Sequence, residues 1–281
     1  MLFLNADRDD DRGVRVIDWK DDEKIQVLAY ATGREGLFSI MASCVSWDGS
    51  LIYLRDLSNP RVFQFKSDHD DPFKKIASLP HADELVLWPG DQLVFGNNYP
   101  LSALKGVRKE DRSSEIDAIL KKLPKDAIHE VNSHANFNPM VLAGYGQVLA
   151  VGYGMQEEVL VFRDGTMKAV PIKFRGRLKP PETYKPDPKA KDGAVGWLEK
   201  FHRLYRLAWH KDQLFGLFRK GFSGLGIWVR IDPSEKAYTY DNNHQEVQLI
   251  SMGRTEVVLG KKEETKNGDV TWRLWRSSSL P

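Results

Sequence analysis

Five cations stand out by type and spacing. Arg177, Lys179, Lys185, Lys189 and Lys191 fall within the segment 175–193, interleaved with Pro180, Pro181, Pro186 and Pro188. Proline fixes φ and withholds an amide donor, so such a run forms an extended loop and leaves its charges in water. Its chemistry suits electrostatic contact with an acidic protein face or a phosphate backbone. Binding of single-stranded nucleic acid also uses interleaved aromatics, and here the loop holds Tyr184 alone, while Trp197 and Phe201 follow a core-facing pattern. An acidic protein partner is therefore the leading expectation, nucleic acid a lesser one, and a merely solvated charge run the bland alternative.

Three polar clusters are the other places where chemistry could sit: Gly96-Asn97-Asn98-Tyr99, Asn132-Ser133-His134-Ala135-Asn136-Phe137-Asn138 and Asp241-Asn242-Asn243-His244. Asn and Asp are the ordinary turn residues of an all-β chain, so loop punctuation explains them without any ligand. Of the 7 histidines, His81, His134, His202, His210 and His244 lie in or near strand junctions, yet none shows the i, i+2 or i, i+4 pairing expected of transition-metal ligands. The single cysteine, Cys44, excludes an intramolecular disulfide and a thiol-rich metal site and points to a reducing, cytoplasmic setting. No Gly-rich phosphate loop, Gly-x-Ser-x-Gly elbow or His-Glu-x-x-His helix is present.

The elements that must position these residues belong to a chain of 281 residues with 41% hydrophobic and 28% charged residues, enough to bury a large core. No run approaches the roughly 18 consecutive apolar residues of a spanning helix, and Leu2-Phe3-Leu4 leads straight into Asp7, Asp9, Asp10 and Asp11, unlike a secretory signal. A soluble protein without membrane association is expected. The net charge of +2 conceals an asymmetry: −6 over residues 1–100, +8 over 101–220 and 0 over 221–281. The basic middle third contains the proline-rich segment.

Short strand-like runs recur, each opened by a tight polar turn. They are 47–54, 89–95, 144–151, 210–217 and 251–259, and the first apolar or β-branched residues after the turns are Leu51, Leu93, Val148, Leu214 and Thr255, at intervals of 42, 55, 66 and 41 residues. Gly, Asp and Lys-Asp at these turns suit the positive φ of a two-residue hairpin, and the residues after them suit a pleated, buried surface. A period of about 40–45 residues is one four-stranded propeller blade, the longer intervals adding roughly 13 and 24 residues. Within the second unit the strands are expected near 39–46, 51–55, 61–65 and 74–79. Asp164-Gly165-Thr166 forms the strongest hairpin signal, between 157–163 and 167–174.

The fold expected is an all-β propeller over the single domain 1–281, with about six four-stranded blades, five or seven being the alternatives, and two paired sandwiches as the rival architecture. Two insertions interrupt it. The first, about 99–128, holds a helix near Ser114 to Leu123, capped by Ser113-Ser114-Glu115 and stopped by Pro124; the second is the basic loop 175–193. The N-terminal unit lacks a first strand, represented only by 2–4, 14–19 and 25–30, and the C-terminal one has no strand after Val270 to Trp275. Met1 to Leu4 is therefore expected to share a sheet with Trp272 to Trp275, unless a partner strand adds there.

The pattern resembles the β-propeller class, six-bladed and WD40-like members in particular, although Trp47-Asp48 precedes a turn and is not the WD signature. Residues 265–272 are similar to a degenerate Asp-box of sialidase-like propellers: Thr265, Thr271 and Trp272 match, Asn267 replaces the Asp and Asp269 the Gly. That box implies a hairpin between blade strands and nothing about catalysis, and an Asn-Gly hairpin explains it equally. The polar clusters are similar in residue type to the channel of six-bladed lactonase-type propellers. That resemblance implies a divalent cation such as Ca²⁺ on Asn97, Asn136 and Asn242, and a metal-dependent hydrolase or lyase as the alternative function. The leading expectation is a cofactor-free, non-catalytic scaffold or protein-interaction subunit; a nucleic-acid or carbohydrate binder is the second alternative.

Overall fold

The structure is a computed structural model. It describes residues 2–6, 13–21, 24–32, 40–45, 52–56, 61–65, 73–78, 84–87, 93–96, 102–103, 113–121, 140–164, 166–173, 196, 198–221, 225–231, 238–264, 267–268 and 270–281. The chain divides into two compact units, Met1–Leu123 and Pro124–Pro281.

The first unit contains three antiparallel sheets. β1 (Leu2–Ala6), β2 (Gly13–Asp21) and β3 (Lys24–Thr32) form one; β4 (Ile40–Val45), β5 (Ile52–Asp56), β6 (Arg61–Phe65) and β7 (Phe73–Ser78) form the next; β8 (Glu84–Leu87), β9 (Leu93–Gly96) and β10 (Ser102–Ala103) form the third. Helix α1 (Ser113–Leu120) follows. The described helix ends at Leu120, and the remainder of the stretch expected to reach Leu123 lies, after Lys121, outside the described residues. Lys121 closes the last turn through its N–H to the Asp117 carbonyl at 3.0 Å.

The second unit repeats the design. Its sheets are β11 (Met140–Tyr145), β12 (Val148–Tyr153), β13 (Glu158–Arg163) and β14 (Thr166–Pro171); β15 (His202–His210), β16 (Gln213–Lys220), β17 (Ile227–Arg230) and β18 (Thr239–Asp241); and β19 (Val247–Met252), β20 (Val257–Glu264) and β21 (Val270–Ser277). Among the described residues the hydrogen-bonded neighbours in each of the six sheets are consecutive in sequence, and every pairing is antiparallel. These are meanders, without the long-range strand return that a Greek-key sandwich requires. Within the units, first strands of neighbouring sheets adjoin at β4 beside β8, β11 beside β15, and β15 beside β19.

The five recurrent turns occupy one place in this scheme. Each joins the first and second strands of a sheet: β4–β5, β8–β9, β11–β12, β15–β16 and β19–β20. Lys211 and Asp212 carry the positive φ values, 46° and 62°, that a tight hairpin demands of its two central residues. The Asn267-Gly268 pair likewise lies in the β20–β21 hairpin, with Gly268 at φ 82°.

The sheet β15–β18 is buried on both faces. Leu214, Phe218, Val229 and Ile231 pack toward β11–β14, whose Val141, Ala150 and Val159 meet them. Alternate residues Phe215, Leu217 and Trp228 pack the other way, against Leu249, Met252, Val257 and Leu259 of β19–β20. A strand period of two with both parities apolar explains why 214–218 reads as a continuous hydrophobic run. Gly216 gives way to this packing, since a Cβ there would lie 2.8 Å from Phe218, 2.9 Å from Leu204 and 3.1 Å from Ile231. Indole donors staple the sheets together: Trp209 Nε1 donates to the Ala143 carbonyl at 3.1 Å and Trp228 Nε1 to the Leu249 carbonyl at 3.0 Å.

The chain ends are placed in separate sheets. β1 pairs with β2 in the first unit, and β21 with β20 in the second. No helix among the described residues is long and apolar enough to cross a membrane.

Candidate functional site

One end of the β15–β18 sheet opens into a cleft of about 480 Å³ lined by Glu199, His202, Phe218, Lys220, Gly226, Ile227, Asp241, Asn243 and His244. The antiparallel meander explains the assembly: the start of β15, the end of β16, the start of β17 and the end of β18 must all meet at the same edge. Phe218 forms an apolar floor, fully buried, while Lys220, Asn243 and His244 are exposed.

One wall is braced by Arg203. Its Nη2 donates to the Gly221 carbonyl at 2.7 Å, and the Gly221 N–H donates to the Leu198 carbonyl at 3.1 Å. Burial pulls the Arg203 guanidinium below its usual range, because desolvation disfavours the charged form. Gly221 has φ 58°, and a Cβ on it would lie 2.6 Å from Glu199 Cγ, so the turn needs glycine for both conformation and room.

The opposite wall is a single 3-10 turn, Asn242–His244. Asp241 caps it: Oδ1 accepts from the Asn243 N–H at 3.0 Å and from Asn243 Nδ2 at 2.8 Å. Asn243 Oδ1 in turn accepts the Leu225 N–H at 3.3 Å, and the Asn242 N–H donates to the Gly226 carbonyl at 3.1 Å. Asn242 is buried, at 2% exposure, and bonds twice to one residue of the next sheet: its Oδ1 accepts the Leu249 N–H at 2.8 Å and its Nδ2 donates to the Leu249 carbonyl at 3.0 Å. β19 is the first strand of its sheet, so the side of Leu249 away from β20 has no strand beyond it, and Asn242 supplies the missing ladder partner.

These contacts decide what the cleft can do. The His244 Nε2 to Asp241 Oδ2 separation of 3.7 Å exceeds a hydrogen bond, and the His244 side chain is 81% exposed, so this pair is washed by water. Lys220, His244, Glu199 and Asp241 give the rim both signs of charge, suited to docking a polar surface. Asn242, a candidate cation ligand by resemblance, has its amide oxygen engaged by the Leu249 N–H. Among the described residues no group of three or more His, Cys, Asp or Glu side chains is arranged to hold a metal ion.

Of the other sequence candidates, Asn97 and Asn136 lie outside the described residues, as do Arg177, Lys179, Lys185, Lys189 and Lys191. His202 and His244 line the cleft, whereas His210 faces the next sheet, its Nδ1 2.8 Å from the Gly253 carbonyl. Glu199 and Lys220 escaped the sequence reading. They are single polar residues in separate segments, and only the return of consecutive strands to one edge brings them together.

No protein-family model matches the chain. No curated protein matches it either. Solved structures do. The chain is similar to streptogramin B lyase, at 14% identity and a TM-score of 0.42, over 87% of this chain and 65% of that one. It is similar to the WD40 repeats of RRP9, at 14% identity and a TM-score of 0.42, over 87% of this chain and 62% of that one. The Swd1 β-propeller domain of Myceliophteria thermophila is similar at 11% identity and a TM-score of 0.44, over 94% of this chain and 80% of that one.

Proposed function

We propose that the chain is a non-catalytic β-propeller scaffold of about six blades, a protein-interaction subunit of a cytoplasmic assembly. The architectural part draws support from first strands that adjoin in successive meanders, as they do around a propeller axis. The functional part draws support from one observation above all: two polar side chains of the described cleft, Asp241 and Asn243, cap a turn, and the adjoining Asn242 bonds that turn to the next sheet. A rigid body whose buried polar groups serve its own architecture offers its outer surface for binding.

The surface proposed for the partner is the basic loop, through Arg177, Lys179, Lys185, Lys189 and Lys191, facing an acidic protein. Reversing all five to Glu tests it. Co-purification of partner proteins from the native host is expected to be lost, while the melting temperature falls by no more than a few degrees, because exposed substitutions usually cost within about 0.5 kcal/mol each. Undiminished association at physiological salt would refute the loop assignment. Elemental analysis of the same protein tests the rival hydrolase or lyase, which requires a stoichiometric divalent cation.

A further inference from the structure

β21 is the last strand of a three-stranded sheet, and among the described residues it pairs with β20 alone. All eight of its residues, Val270–Ser277, are in register with β20 from Val257 to Glu264. In an antiparallel ladder every second residue turns its N–H and C=O away from the partner, so the outer edge of β21 presents a row of donors and acceptors that no other described strand meets. The tail beyond it does not run along that edge. It turns back to the neighbouring sheet, where Lys211 Nζ donates to the Ser278 carbonyl, Tyr238 Oη donates to the Pro281 carbonyl at 3.0 Å, and Leu280 packs with Phe215 and Trp228.

The side chains beside this edge have a definite chemistry. On one face Val270 is 61% exposed and Trp272 39% exposed, with Leu274 continuing the stripe. Lys262 stands 5.3 Å from the Trp272 ring centroid, a cation–π contact that fixes the indole. On the other face Arg273 is exposed and has no ion pair among the described residues; Arg276, at the end of the Trp272 face, pairs with Glu256 at 3.5 Å. β21 thus carries two arginines and no acid. A second copy adding its own β21 would bring arginine toward arginine; an extended segment with apolar residues on the Trp272 side and carboxylates on the Arg273 side meets complementary groups on both faces.

From this we infer that the outer edge of β21 is a docking site for an extended acidic segment of a protein partner, added as a fourth antiparallel strand with alternating apolar and acidic residues. The inference rests on the scaffold reading and names one mode by which the scaffold binds.

The test uses the full chain and a fluorescein-labelled, end-capped octapeptide that alternates valine and glutamate, with fluorescence anisotropy for binding and amide hydrogen exchange for location. Saturable binding that weakens with salt and slows exchange within 270–277 is expected. Arg273→Glu should weaken it at least about tenfold, and so should N-methylation of alternate peptide amides, which removes the ladder donors without touching the protein. A lysine–valine peptide should not compete. Absence of binding, equal binding by the N-methylated or lysine peptide, or protection elsewhere would overturn the proposal. So would protection of 270–277 in the free protein, as a dimer (a second copy fills the edge) or as a monomer (the chain covers it itself). The variant with five loop residues changed to Glu should bind the octapeptide normally. If that variant loses its partners and the octapeptide never binds, the scaffold stands and the edge assignment falls.

Discussion

Trp228 and Trp272 hold equivalent posts, each on the third strand of its sheet, and their surroundings differ completely. Trp228 on β17 is fully buried, with β18 paired beyond it and its indole nitrogen bonded to Leu249 of the next sheet. Trp272 on β21 is 39% exposed, has no strand beyond it among the described residues, and rests against Gly260 with Lys262 over its ring. The same residue type at the same place is a core pin in one sheet and a surface group in the other. What separates them is the number of strands and whether another sheet covers the face: β15–β18 is covered on both sides, β19–β21 on one side by its neighbour in the unit.

Truncation of the two tryptophans should expose that difference most strongly. Trp228→Ala removes a fully buried aromatic and leaves the Leu249 carbonyl with one donor fewer, for an expected loss of about 3–5 kcal/mol in denaturant unfolding. Trp272→Ala should cost about 1 kcal/mol or less, its ring being partly hydrated already. Equal losses would mean that the β21 face is covered in solution.

The next effect concerns the seam between the two sheets. Asn242→Ala deprives a buried backbone N–H of its acceptor, and an unsatisfied buried group costs about 1–3 kcal/mol. Asn242→Asp keeps an oxygen for the Leu249 N–H but sets an acceptor against the Leu249 carbonyl, and should be no more stable than alanine. Addition of Ca²⁺ should raise the melting temperature of neither variant nor of the parent; a calcium-dependent rise confined to the parent would identify Asn242 as a cation ligand.

A smaller effect separates the regions by pH. Burial, with the nearby Tyr240 adding to it, pushes the Tyr238 hydroxyl up to about 12 from an ordinary 10. A folded-state value raised above the unfolded one leaves stability intact below about pH 10 and removes it as pH climbs from 10 toward 12. Thermal unfolding should therefore weaken across that window, and Tyr238→Phe should flatten the decline. At the acid end Lys261 holds Glu246 below the usual carboxylate range, so its small contribution is present above the ordinary carboxylate value and fades as pH falls through the lowered one; both groups being exposed, the change should be slight.

Much of the strand layout was legible because its signals are local. The Lys211-Asp212 and Gly146 turns announce hairpins through the φ values they tolerate, and alternation around them marks the strands. The expected strands near 39–46, 51–55, 61–65 and 74–79 match β4 to β7 within a residue or two. The two-sided burial of β16 is visible as an unbroken apolar run. The cleft was hardly legible, since Glu199, Lys220 and Asp241 are ordinary polar residues until three hairpins return them to one edge. Residue type alone leaves Asn242 open: an amide suited to a cation is equally suited to closing a strand edge, and its two bonds to Leu249 are visible only in the structure.

The contrast between a covered sheet and an open one is most directly tested by residue-resolved amide hydrogen exchange on the free protein. The amides of Phe215–Phe218 in β16, where the strand is paired on both sides by β15 and β17, should all exchange slowly, as expected of strands that open only with global unfolding. Along Val270–Ser277 slow and fast amides should alternate, the slow ones bonded to β20 and the fast ones on the outer edge. Uniform slow exchange over both strands, independent of protein concentration, would contradict an open β21 edge.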